Sequence, residues 1–173
     1  HAHKPLVFRG IDNMALADRV AAEIERFQPD AVFIDAGNGA GVIDRLRQLH
    51  YDVTEISFAG APSHPRYLNK RAEMWFDLRD WLHAGGAIPD EQELREDLAA
   101  PTYYFTANEK IQLESKDDIK SRIKKSPDLG DALALTFAYP VYRDESARAR
   151  ANRMGIADRE DAGALAYDPY RNF

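Results

Sequence analysis

The residues best able to do chemistry in this chain are three aspartates, Asp35, Asp128 and Asp131. Asp35 ends the apolar run Ala31-Val32-Phe33-Ile34, just before Ala36-Gly37-Asn38-Gly39-Ala40-Gly41. Ligand sites in open α/β sheets gather outside the carboxyl ends of strands, which is where Asp35 would stand. It also has a plainer reading, as a cap or brace of the glycine-rich turn. Asp128 and Asp131 lie three residues apart in SPDLGDALALTF, a spacing that puts both on one face of a helix's first turn. Pro127 favours a helix start there, and Ser126 can cap it. The helix dipole favours acids in a first turn, which accounts for one of the pair. It accounts less well for Asp131, which precedes an apolar stretch that must be buried. If that turn meets Asp35, three carboxylates converge. Carboxylate oxygens suit hard divalent cations, so Mg²⁺ or Mn²⁺ is implied rather than zinc. Two such ions ~4 Å apart can activate a water and stabilise the leaving oxygen in phosphodiester hydrolysis.

Basic residues stand close by in the sequence. Lys116, Lys120, Arg122, Lys124 and Lys125 precede Asp128, and Lys70 and Arg71 open a long apolar-striped segment. Such runs are usually a solvated face. Beside an acidic metal site they are also what a phosphate backbone needs, although Asp117 and Asp118 dilute the charge. The glycine-rich turn lacks the Gly-Lys-Ser/Thr ending of a phosphate-binding loop, and its spacing departs from the dinucleotide fingerprint. Its glycines are expected to turn the backbone tightly and let a bulky ligand come close. His50, His64 and His83 share no ligand spacing, and Met74, Trp75 and Trp81 read as core. No serine sits in a nucleophile elbow.

These residues need elements to position them. Pro5 to Ile11 is suited to a strand, with Asp12 or Asn13 capping a helix from about Met14 to Phe27. Ala31 to Ile34 is a continuous apolar run, which predicts a strand buried on both faces. A second helix follows through Val42, Ile43, Leu46 and Leu49, and a third strand through Val53, Ile56 and Phe58. After a proline-bearing loop, a long helix is predicted over Asn69–His83, stopped by Gly85-Gly86. A short acidic helix over Asp90–Ala99, a hairpin or two short strands through Tyr103–Phe105 and Ile111–Leu113, a charged helical turn or helix over Lys116–Ile123 and an apolar helix over Asp128–Tyr139 complete the pattern. Strands alternating with helices give an α/β layered domain. His1 to Lys4 is expected to stand outside the fold. Residues 5–141 are expected to form one domain and residues 142–173 a polar tail.

Composition sets the outer bounds. The chain has 173 residues, 23 Lys plus Arg against 29 Asp plus Glu, and a formal net charge of -6. Hydrophobic residues make up 45%, which is globular composition. There is no cysteine, so disulfide frameworks, thiolate metal sites and cysteine nucleophiles are excluded. No apolar run approaches the ~18 residues that span a bilayer. The acidic balance argues against a general polyanion binder but leaves room for a local basic face.

Three blocks, VFIDAGNGAGVIDRL, YLNKRAEMWFDLRDWL and LESKDDIKSRIKKSPDLGDALALTFA, resemble the nuclease domain of the large terminase subunit of tailed phages, in the same order and at similar intervals. The resemblance covers roughly Leu6 to Val141, and its last block is the most specific. It implies a ribonuclease H-like fold, a mixed central sheet flanked by helices. It implies a Mg/Mn-dependent endodeoxyribonuclease with two divalent ions, cutting concatemeric double-stranded DNA during phage packaging in the host cytoplasm. The small terminase subunit and the portal protein are the implied partners, with no membrane. By position, Asp35 matches the acidic residue ending the family's central strand, Asp131 the acidic residue of the final helix, and Asp128 the position three before it. These are the expected metal ligands and catalytic residues, with Lys70, Arg71, Lys124 and Lys125 on DNA phosphates. The family also carries an Asp on its first strand. No counterpart is found, since Pro5–Ile11 resembles the third strand, so the first strands and their Asp are expected to be missing and the site incomplete. A resolvase-like nuclease for branched DNA, a non-catalytic module docking DNA or the portal, and a nucleotide binder using the glycine turn are the alternatives.

Overall fold

The computed structural model describes residues 1–142. Helix α1 spans Asn13–Phe27, and Asp12 caps it by accepting the Ala15 amide at 2.8 Å. It ends where Gln28 turns left-handed, at φ 44°. Strand β1 (Phe33–Asp35) leads directly into α2 (Ala36–Gln48), and β2 (Thr54–Ile56) returns parallel to β1. This is a β-α-β unit, with Asp35 registered opposite Ile56. Ala17 and Ala21 of α1 pack on Val42, Ile43 and Leu46 of α2, forming one core with Val53.

Four expectations fail in this half. Residues 5–11 form no strand. Leu6, Val7, Phe8 and Ile11 are 41–56% exposed, because β1 and β2 pair with each other and the run meets no strand to join among the described residues. β1 is half-buried rather than buried on both faces. The glycine segment is not a turn but the opening of α2. There the glycines admit protein rather than ligand, since a Cβ on Gly41 would stand 2.5 Å from Asn13 Nδ2. His1 to Lys4 is not detached either, because the Ala2 amide donates to the Ala87 carbonyl at 2.8 Å.

The second half is built around α3 (Lys70–His83), capped by Asn69 Oδ1 accepting the Ala72 amide at 3.0 Å. Ala72, Met74, Phe76 and Leu78 are at most 4% exposed, as the apolar stripe requires. Helix α4 (Gln92–Ala99) follows, then β3 (Tyr103–Phe105) antiparallel to β4 (Ile111–Leu113). Helix α5 (Lys116–Ile123) is capped by Ser115, and α6 (Asp128–Leu135) packs on α3 and α4. α6 stops short of the expected Tyr139. The core joins α3 to Ile56, Ile111, Leu113, Ala134 and Ala138.

The class is α/β, as predicted. Among the described residues the sheet is reduced to a parallel pair and a separate antiparallel pair. Past Tyr142 the expected polar tail lies outside the described residues. No helix among them is long and apolar enough to cross a membrane.

Candidate active site around Asp131

Arg71 and Trp75 lie four apart on α3, so they share one face, and that face meets the start of α6. There Asp131 is 4% exposed, a carboxylate that burial would penalise unless it were paired. Trp75 Nε1 donates to Asp131 Oδ1 at 2.8 Å, and Arg71 Nε donates to the same oxygen at 3.1 Å. Arg71 is itself fixed, because Nη1 donates to the Glu114 carbonyl at 2.9 Å. Lys116, at the head of α5, brings its ammonium within 2.8 Å of Asp131 Oδ2. Both oxygens of the carboxylate therefore face a cation. The ammonium also stands 5.0 Å from the Phe58 ring, just past the end of β2.

The first turn of α6 is held from outside. Ser126 does not cap it, and no side chain of the local sequence does. Instead Asp97 of α4, 2% exposed, accepts the Leu129 amide at 2.9 Å, with the Lys125 ammonium 2.9 Å from its other oxygen. A carboxylate at a helix N-terminus satisfies an orphan donor and the dipole together, wherever in the chain it comes from. Gly130 completes the fit. A Cβ there would lie 2.7 Å from the Trp75 ring and 3.3 Å from the Asp97 carbonyl, so only glycine lets the indole reach Asp131.

The other expected site residues are placed differently. Asp35 is half-buried at the carboxyl end of β1 and caps α2, accepting the Gly37 amide at 3.1 Å. The plainer reading of Asp35 therefore describes a contact it makes. Asp128 is exposed while Asp131 is buried, so the two do not share one environment. Lys70 is 4% exposed and pairs with Glu73 at 2.6 Å. The Glu73 carboxylate also accepts the amides of Ser63 and His64, at 3.0 and 2.8 Å. Burial would raise the Glu73 carboxyl, but the bonds from Lys70 and the two amides outweigh it and hold it below its ordinary range. Lys125 is committed to Asp97 and Glu96. Of the four residues expected on phosphates, Lys124 alone is exposed, its ammonium on the Ser121 carbonyl at 2.8 Å.

A hard divalent ion takes about six oxygen ligands. The described residues bring together no group of three or more His, Asp or Glu that could hold one. Asp131 itself is surrounded by two cations and an indole N–H. Within the clamp, Arg71 Nη2 is a buried donor with no partner among the described residues. By themselves these residues do not fit a divalent ion.

Sequence reasoning assigned Trp75 to the core and passed over Lys116 and Asp97 as individual site residues. The first has a legible signal, the four-residue spacing of Arg71 and Trp75. Asp97 has none, since its partner lies 32 residues away.

No sequence-family description matches the chain, and no curated protein matches it. Solved structures do. The nuclease domain of the large terminase subunit of bacterial virus Sf6 superposes with a TM-score of 0.59 at 20% identity, covering 72% of each chain. A point mutant of that domain with manganese gives 0.58 at 21% identity, again over 72% of each chain. The mutant with calcium gives 0.60 at 21%, over 72% of this chain and 71% of that one. The chain therefore has the fold of a phage large terminase nuclease domain.

Proposed function

We propose that this chain is the nuclease part of a phage or prophage large terminase subunit, cutting DNA with divalent metal ions. The observation that carries the reading is the buried Asp131, clamped by Arg71 and Trp75 at the start of α6, in a fold shared with a nuclease domain whose structures hold manganese and calcium. Asp35, Asp128 and Asp131 are its proposed metal ligands. Because the described residues alone do not fit a divalent ion, the proposal requires a further carboxylate from outside them. Of the four residues assigned to phosphates, Lys124 is the one free to meet them, while Lys70, Arg71 and Lys125 hold the scaffold through internal ion pairs. In its finer form the proposal is two-metal hydrolysis of concatemeric double-stranded DNA in the host cytoplasm, with Mg²⁺ or Mn²⁺, alongside the small terminase subunit and the portal protein. Residues 5–141 would be the nuclease unit and 142–173 an appended polar tail.

A second reading is a module that docks DNA or the portal without cutting. What favours it is the absence of a three-carboxylate cluster among the described residues. Nicking of supercoiled plasmid in Mn²⁺ and in Mg²⁺ separates the two. The nuclease reading expects nicking that chelator abolishes and that Asp131→Asn loses, with the variant's thermal melt confirming a folded chain. No nicking by the parent, with plasmid binding retained, would leave the fold assignment standing and favour the docking module or a metal site that this chain does not complete.

A further inference from the structure

The hairpin of β3 and β4 carries three consecutive aromatics that the site around Asp131 does not use. Tyr103, Tyr104 and Phe105 are 52%, 50% and 63% exposed, unusual for rings that normally bury large area. They are not loosely held. Buried Tyr67 and Phe76 lie 5.5 Å apart by ring centroid, Phe76 and Tyr103 5.1 Å, and Tyr103 and Phe105 6.1 Å. Two buried rings thus anchor two exposed ones in a continuous ridge. Residues 66–68 bind the edge of β4, with the Ile111 amide on the Arg66 carbonyl at 2.8 Å and the Leu68 amide on the Ile111 carbonyl at 2.9 Å. The ridge is therefore three segments wide. The aliphatic residues of β4, Ile111 and Leu113, are buried, so what the hairpin offers solvent is aromatic rather than generally greasy.

Charge decides between possible occupants. Arg66 and Lys110 flank the ridge, and neither has a carboxylate partner among the described residues. Arg66 already leans toward the Tyr67 ring, 5.9 Å from its centroid. Glu109, at the tip, opposes them, and Asp77 and Asp80 of α3 act on Tyr67 from behind, where Arg79 pairs with Asp80. Exposed ring faces beside unneutralised cations match a chain of bases and phosphates. A duplex hides its base faces, so only an unpaired strand can use both features. The ridge is also continuous with the Asp131 site, because the residue after β4, Glu114, gives its carbonyl to Arg71.

We propose that the β3–β4 hairpin is a binding surface for single-stranded nucleic acid, bases stacking on Tyr103 and Phe105 and phosphates meeting Arg66 and Lys110. It takes from the proposed function only that the ligand is nucleic acid. It adds that an unpaired strand, not the duplex, is held here.

The test is a fluorescence-anisotropy titration of the chain, in chelator, with labelled oligothymidylate of about 20 nucleotides and with duplex of the same length. The single strand is expected to bind more tightly. Phe105→Ala and Tyr103→Leu should each weaken it about tenfold, with duplex affinity and thermal melt unchanged. Arg66→Ala with Lys110→Ala should flatten the salt dependence by a slope of about 1.4. Equal affinity for strand and duplex, or aromatic variants that fold and bind like the parent, would overturn the proposal. Binding of neither nucleic acid would also overturn it and leave the ridge to a protein partner. Because the measurement needs neither metal nor cutting, it can succeed where plasmid nicking fails. Nicking without single-strand preference would do the reverse.

Discussion

One oxygen of Asp131 receives both the Arg71 guanidinium and the Trp75 indole, while the other faces the Lys116 ammonium at 2.8 Å. That asymmetry shows how burial can be tolerated by a single carboxylate when its donors are themselves fixed. On the same helix, two residues past Trp75, Asp77 meets the opposite situation. Burial first, then the neighbouring charge of Glu73, pushes its carboxyl up to about 6, against a smaller opposing pull from Lys70. A carboxyl whose folded pKa lies above its unfolded value weakens the fold as it ionises. Stability should therefore fall as pH rises from 3.8 through about 6, and the penalty should persist above that range. Asp77→Asn removes the ionisation. Its melting temperature is expected to exceed the parent's at about pH 8, with the gap closing near about pH 4. Thermal melts across that range check it, and a constant gap would show that the charge is not the cause.

At the level of elements, α6 depends on α4 for its start. Asp97→Ala removes the acceptor for the Leu129 amide and leaves Lys125 without its buried partner. The expected cost is about 1–3 kcal/mol in urea denaturation, whereas Ser126→Ala should stay within about 0.5 kcal/mol. The helices themselves were legible in the sequence: α1, α3 and α5 begin and end within a residue or so of their caps, because Asp12, Asn69 and Ser115 act locally. The two strands β3 and β4 were legible as short aromatic and aliphatic runs, and their pairing into a hairpin is what the structure adds. Pro5–Ile11 was not, because an apolar run becomes a strand only where a neighbour offers its edge, and that neighbour is not a local property. The glycine segment misled for a similar reason. Its glycines answer to Ile34 and Asn13, which approach α2 from other elements. In the site, Asp35 and Asp131 stood out by position. What turns Asp128 outward and Asp131 inward is the tertiary clamp of Arg71, Trp75 and Lys116, which no pattern in residues 126–137 contains.

Taken whole, the described residues hold two hydrophobic clusters, one joining α1 and α2 to Val53 and the other centred on α3. α1 fully buries only Ala17 and Ala21, and its larger Leu16, Val20 and Ile24 are only half-buried against the same cluster. Small side chains contribute little apolar area, so α1 is held less firmly than α3, where Met74 and Leu78 are fully enclosed. Hydrogen exchange under native conditions should release the amides of α1 by partial opening while those of α3 stay protected to the global limit. Equal protection in both helices would show one cooperative unit. The clamp on Asp131 has a consequence of another kind. The chain has two tryptophans, and Trp81 stacks near Phe137 at 5.7 Å, away from any carboxylate bond the structure shows. Trp75 alone points its indole nitrogen at a charge. Indole emission colour follows the electric field along the ring, so the ultraviolet-excited glow of the unlabelled protein is in part a gauge of what sits beside that carboxylate.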